Sequence, residues 1–189
     1  MKKQFRFALC SICMSGLLAT PVALLAQNST PKMDTGSMKM MKSGDMSFAT
    51  KAAEGGLAEV QLGKLAADKA SNPDVKAFGQ QMVDDHSKAN DQLKAVAQKD
   101  NMTLPTSPNA KQQAMYQKLS GLSGAAFDKA YVMDMVKDHE EDVKEFQKEA
   151  NSGKNGDVKS FAAETLPVIQ GHLSKIKSIQ AKMGSGSSM

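Results

Sequence analysis

Only three histidines occur in the 189-residue chain, and two of them close the same short phrase: Met82 to His86 reads MVDDH, and Met135 to His139 reads MVKDH. The third, His172, stands in QGHL, and a glutamate, Glu59, stands among small and apolar residues in GGLAEVQLG. Imidazole is both the side chain that titrates nearest neutral pH and the commonest protein ligand for transition metals. Three imidazoles and one carboxylate would suit Zn, Fe, Mn or Cu. Asp85 and Asp138 each precede a histidine and are placed either to enter such a site or to orient an imidazole from behind. The competing reading of the same four residues is a buried hydrogen-bonded layer that fixes helix register and holds no ion. A third reading leaves the histidines scattered and half exposed.

Which reading applies depends on the elements that carry these side chains. Ser47 can cap a helix through FATKAAEGGLAEVQLGKLAADKA, residues 48–70. Asn72, Pro73 and Asp74 form a strong start signal, namely a capping asparagine, proline at the first helical position and an acid in the first turn. That second helix runs to about Asp100. MTLPTSPNA breaks it, a short helix follows over Lys111–Leu119, and Ser123 opens a third long helix that NSGKNG ends. A fourth runs from Asp157 to about Met183, and no segment shows strand alternation.

Apolar residues recur at three- and four-residue steps on each later helix. The stripes include Val75, Phe78, Met82 and Leu93, then Phe127, Tyr131, Met135 and Phe146, then Val158, Phe161, Ile169, Ile176 and Ile179. The first helix instead carries Gly55, Gly56 and Gly63 on its inner side, which points to close approach of a neighbouring backbone. Short links join every pair of long helices except the second and third. The roughly twenty residues between those can cross the length of a bundle. The expected fold is therefore all-α, a ferritin-like four-helix bundle with a long second-to-third crossover containing a short extra helix. Glu59, His86, His139 and His172 each lie near the middle of their own helix. Midpoints share a level whichever way helices run, so the four could converge. Di-iron bundles carry Glu-x-x-His twice, whereas Val83, Val136 and Ile169 stand three residues before the histidines here, so no ferroxidase centre of that kind is expected.

The domain is preceded by two other segments. Residues 1–26 have the layout of a secretory signal: Lys2, Lys3 and Arg6, then an apolar run, then small residues. Cleavage is expected after Ala26, the alternative being an uncleaved anchor. Residues 27–47 form a polar, Pro-containing linker with Met33, Met38, Met40, Met41 and Met46, and thioethers are soft ligands that select Cu(I). The bland reading is a tether. Residues 48–183 are the bundle, and 184–189 a polar tail. Both cysteines, Cys10 and Cys13, leave with the signal, so no thiol or disulfide remains. Three of the 24 basic residues leave as well, giving 21 against 20 acidic ones. That balance gives no support for nucleic-acid binding, which needs a net basic face. No Ser-His-Asp or Cys-His arrangement points to a nucleophilic enzyme.

Three stretches carry a resemblance: AAEGGLAEVQLGKLAADKASNPDVKAFGQQMVDDHSKAN, FDKAYVMDMVKDHEEDVKEF and VKSFAAETLPVIQGHL. In their order they resemble the bacterial domain-of-unknown-function family 4142, over about Phe48 to Lys182. The resemblance implies an exported protein, of a kind often labelled outer-membrane, with a ferritin-like helical bundle. It implies Glu59, Asp85, His86, Asp138, His139, Pro167 and His172 as marked positions, and it implies no activity. The expected setting is the periplasm or the outer membrane, with protein partners unnamed. Three functions follow as expectations: a metal ion in the Glu/His layer, with redox or storage consequences; a metal-free structural or interaction module in envelope stress tolerance; and Cu(I) capture by the methionine-rich linker.

Overall fold

A computed structural model describes residues 43–185. Five helices follow in order: α1 Ser43–Lys69, α2 Pro73–Lys99, α3 Ala110–Ser120, α4 Gly124–Ser152 and α5 Gly156–Ser185. Among the described residues there is no strand, and no helix is long and apolar enough to cross a membrane. The predicted cap of α2 is present. Asn72 accepts the backbone N–H groups of Asp74 and Val75, with Pro73 opening α2. Asn109 and Gln112 form a reciprocal capping box at the start of α3, satisfying two of the N–H groups a helix start leaves free.

The start of α1 differs from expectation. The helix begins at Ser43, ahead of the expected cap at Ser47, because Asp45 is tied down: its carboxylate accepts the backbone N–H groups of Lys154 at 2.9 Å and Asn155 at 3.0 Å. Met46, assigned above to the linker and to a copper site, is therefore in a helix and packed against the core. The expected boundary at residue 47 is corrected accordingly.

Asp45 has a counterpart at the opposite end. Asp128, the fifth residue of α4, accepts the backbone N–H groups of Ser71 at 3.1 Å and Asn72 at 2.9 Å, and the Ser71 hydroxyl. Each antiparallel pair, α1–α2 and α4–α5, thus has its turn held by a buried aspartate from the first helix of the other pair. The two turns match as well, NPDV at Asn72 and NGDV at Asn155, and each asparagine caps the helix that follows.

The crossover runs the length of the bundle. At its start Asp100 accepts a hydrogen bond from Asn155 in the α4–α5 turn, partway along Asn109 donates to Glu54 near the middle of α1, and at its end Lys69, the last residue of α1, donates to the carbonyls of Ser120 and Leu122. The chain therefore re-enters the bundle at the end where α2 began, α2 and α4 point the same way, and the topology is that of a ferritin-like bundle.

The apolar interior falls into two clusters. One, toward the α1–α2 turn, holds Phe78, Met82, Phe127, Tyr131 and Met135. The other, toward the α4–α5 turn, holds Phe48, Leu93, Phe146, Phe161 and Ile169. Between them lies a polar level.

The glycines of α1 divide into two kinds. A β-carbon on Gly63 would lie 2.6 Å from the carbonyl oxygen of Gly79, and one on Gly79 would lie 2.7 Å from that of Gly63. The α1 and α2 backbones touch there, and neither can yield. At Gly55 the nearest obstacle is 3.9 Å away, an ordinary contact, so the close approach expected of that residue is not observed. Gly63→Ala should then destabilise the fold by about 1–3 kcal/mol through overpacking. Gly55→Ala should stabilise it by up to about 1 kcal/mol through helix propensity. Chemical denaturation of the two variants reads both signs, and a stable Gly63→Ala protein would contradict the packing.

Candidate metal centre

The polar level is built from one residue on each long helix: Glu59 on α1, His86 on α2, His139 on α4 and His172 on α5. Their exposures are 2%, 5%, 0% and 1%, so each has lost its water and must find its partners inside the protein. Every one lies within about a turn of its helix midpoint, as expected from the sequence.

Each imidazole is anchored through one nitrogen. His139 Nδ1 lies 3.0 Å from the carbonyl oxygen of Met135; a carbonyl can only accept, so Nδ1 carries the hydrogen and Nε2 presents a lone pair. His172 Nε2 lies 2.8 Å from Asp85 Oδ2. Burial pushes the Asp85 carboxyl up, but hydrogen bonds from His172 and Gln81 outweigh this and hold it below its ordinary value. It therefore accepts, and Nδ1 of His172 presents the lone pair. His86 Nδ1 lies 2.9 Å from Glu59 Oε2.

The opposite nitrogens, His86 Nε2, His139 Nε2 and His172 Nδ1, are buried and have no hydrogen-bond partner. The three imidazoles can each offer a nitrogen so that all three lie within 4.8 Å of one another. Ring centroids are 5.3 to 6.0 Å apart, and Phe78 closes the apolar side, 6.1 Å and 6.2 Å from His139 and His172. Burial lowers all three histidines: His86 to about 4 and His139 to about 3, with the neighbouring imidazoles lowering His139 further. At neutral pH they are uncharged, and His139 and His172 keep a lone pair available to a cation.

Of the expected site residues, His86, His139 and His172 come together, and Asp85 orients His172 as expected of a supporting carboxylate. Glu59 is at the level but not within the three-histidine group. Its Oε2 engages His86, and its Oε1 is 3.6 Å from His139 Nε2, beyond hydrogen-bond reach. Asp138 makes no hydrogen bond to an imidazole; it groups instead with Glu59 and Asp142, each offering an oxygen within 4.8 Å of the others. Burial and Asp138 push Glu59 well above the usual carboxylate range, and burial followed by Glu59 and Asp138 does the same to Asp142.

Asp142, the last residue of DHEED, was not among the site residues expected from the sequence. The signal was its position one helical turn after Asp138. Pro167 lies inside α5 on its exposed side, so the backbone bond it forgoes faces water. Met33, Met38, Met40 and Met41 lie outside the described residues.

An all-α bundle of ferritin-like topology with a buried His/Glu level defines the structural class. The chain belongs to the family described as a domain of unknown function, DUF4142, whose profile matches residues 30–179. No curated protein matches. Two solved structures are similar in fold. One is a DUF305 protein from Streptomyces coelicolor described as secreted, 14% identical, covering 75% of this chain and 94% of that one, with a TM-score of 0.63. The other is a DUF305 fragment from Deinococcus radiodurans, 11% identical, covering 75% and 98%, with a TM-score of 0.65.

Uncharged buried histidines also set a pH dependence. A histidine lowered in the folded state contributes stability that is present above its unfolded pKa near 6.5 and lost as pH falls toward its folded value. The metal-free protein should therefore lose Tm between about pH 6.5 and 4. His139→Leu should flatten that slope, since leucine takes up no proton on unfolding. An equal slope in wild type and variant would contradict the burial of a neutral His139.

Proposed function

We propose that this chain binds one transition-metal ion through His86, His139 and His172, with Glu59 placed beside the ion through its contact with His86. The observation that carries the reading is that the three imidazoles each offer a nitrogen within 4.8 Å of the others, while each ring has one buried nitrogen without a partner and the other held by a different group. A buried acceptor without a donor costs about 1–3 kcal/mol, and a cation relieves all three costs at once. Imidazole ligands suit Zn, Cu and Fe better than the hard cations Mg and Ca. Asp85 behind His172 and the Met135 carbonyl behind His139 are the outer contacts that fix a ligating imidazole and raise its basicity. The expected setting is the envelope, through export directed by residues 1–26.

A second reading rests on the same anchors. The Glu59–His86 contact ties α1 to α2 and the Asp85–His172 contact ties α2 to α5, so the level can set helix register in a structural or interaction module without an ion.

Metal analysis separates the two. Protein stripped with chelator and offered Zn(II) should retain one equivalent after dialysis, with a higher Tm than the stripped protein, and His139→Ala should retain less than a tenth of it. No retained metal in wild type, together with a His139→Ala variant that differs only by a lower Tm, would favour the metal-free layer.

A further inference from the structure

We propose that the chain holds a second cation site, made of Glu59, Asp138 and Asp142, that takes a hard divalent cation and shares Glu59 with the three-histidine site. This rests on the reading above only for the shared residue, since the second site has its own donors. The three carboxylates each place an oxygen within 4.8 Å of the others.

Acidic groups cluster on many protein surfaces without an ion, but this group differs in its inner member. Glu59 is almost fully buried, its Oε1 has no hydrogen-bond partner, and its Oε2 is engaged by His86. A buried carboxylate oxygen with no donor, standing among two further carboxylates, is the environment that a divalent cation satisfies and that another side chain here does not.

The fold gives a reason for the arrangement. Glu59 stands fourteen residues after Asp45, and Asp142 fourteen residues after Asp128, and those aspartates are the matching clasps of the two helix pairs. Counting from equivalent points puts Glu59 and Asp142 at equivalent heights on α1 and α4, so the pairing of the two hairpins brings them face to face. Asp138 joins them from one turn earlier on α4.

Access is also built in. Asp138 and Asp142 line a cleft of 310 Å³ between α1, α3 and α4, together with Asp134, Glu141 and Glu145 and with Lys51, Lys111 and Lys137. Asp142 also lines an inner cavity of 20 Å³ beside Glu59 and His86, large enough for about one water molecule. Asp142 thus connects the open cleft to the histidine level. All-oxygen donors select Mn(II), Mg(II) or Ca(II) over softer ions, so the two sites differ in the class of ion they prefer.

The test uses Mn(II), followed by electron paramagnetic resonance, in two backgrounds: wild type preloaded with one equivalent of Zn(II), and His139→Gln. Asp138→Asn with Asp142→Asn is made in both, and thermal melts confirm that each variant folds. Expected is about one bound Mn(II), weakened at least tenfold by the paired asparagines, while zinc retention in the wild-type background is unchanged by them. Carboxylate-dependent Mn(II) binding in either background supports the site, and its absence from both overturns it. Zinc stoichiometry reports on the histidine site separately, so failure of one site is not mistaken for failure of the other.

Discussion

Three uncharged imidazoles face one another across the middle of a helical bundle, and each has already committed one nitrogen to a neighbour. Their remaining nitrogens are buried and have no hydrogen-bond partner within the protein. Such atoms are costly: about 1–3 kcal/mol each when a buried group is left unsatisfied. An apolar level would have packed more simply against Phe78 below and Phe161 above. That the chain instead spends one position on every long helix on an ionisable side chain, at the same level, is the constraint from which the functional reading follows.

The level is possible because the bundle fixes helix heights so firmly. Asp45 and Asp128 grip the turns of opposite hairpins through backbone N–H groups, and Gly63 and Gly79 let α1 and α2 touch. With ends clasped and one crossing pinned, a helix cannot slide by a turn, about 5.4 Å, without breaking several buried contacts. Side chains that start from matching points then meet at matching levels. The histidines, Glu59 and Asp142 all inherit their positions in this way, and the supporting contacts of Asp85 and Met135 set the ring orientations.

Much of this was legible in the residues. Helix number, the cap at Asn72, the crossover and the shared level of Glu59, His86, His139 and His172 all follow from periodicity and turn chemistry, which are local. What escaped was long-range. The start of α1 at Ser43 depends on Asp45 binding a turn more than a hundred residues away, so no nearby signal could place it. Asp142 drew no attention in the sequence because the group that gives it significance, Glu59, is on another helix. Gly55 shared the pattern of Gly56 and Gly63 but has room for a β-carbon at ordinary contact distance, a difference that only the neighbour's position reveals. The matching aspartates of the two hairpins sit in dissimilar local sequences, GDMSF and FDKAY, so the internal correspondence shows in three dimensions first.

The most direct test of the central claim is to count the ligands themselves. X-ray absorption at the zinc edge of the loaded protein reports the number of imidazole rings bound, through their outer-shell scattering, at a Zn–N distance of about 2.0–2.1 Å. Three imidazoles are predicted in wild type and two or fewer in His172→Ala. A zinc ion bound by oxygen alone, or by a single imidazole, would show that the lone pairs of His86, His139 and His172 do not meet on one metal.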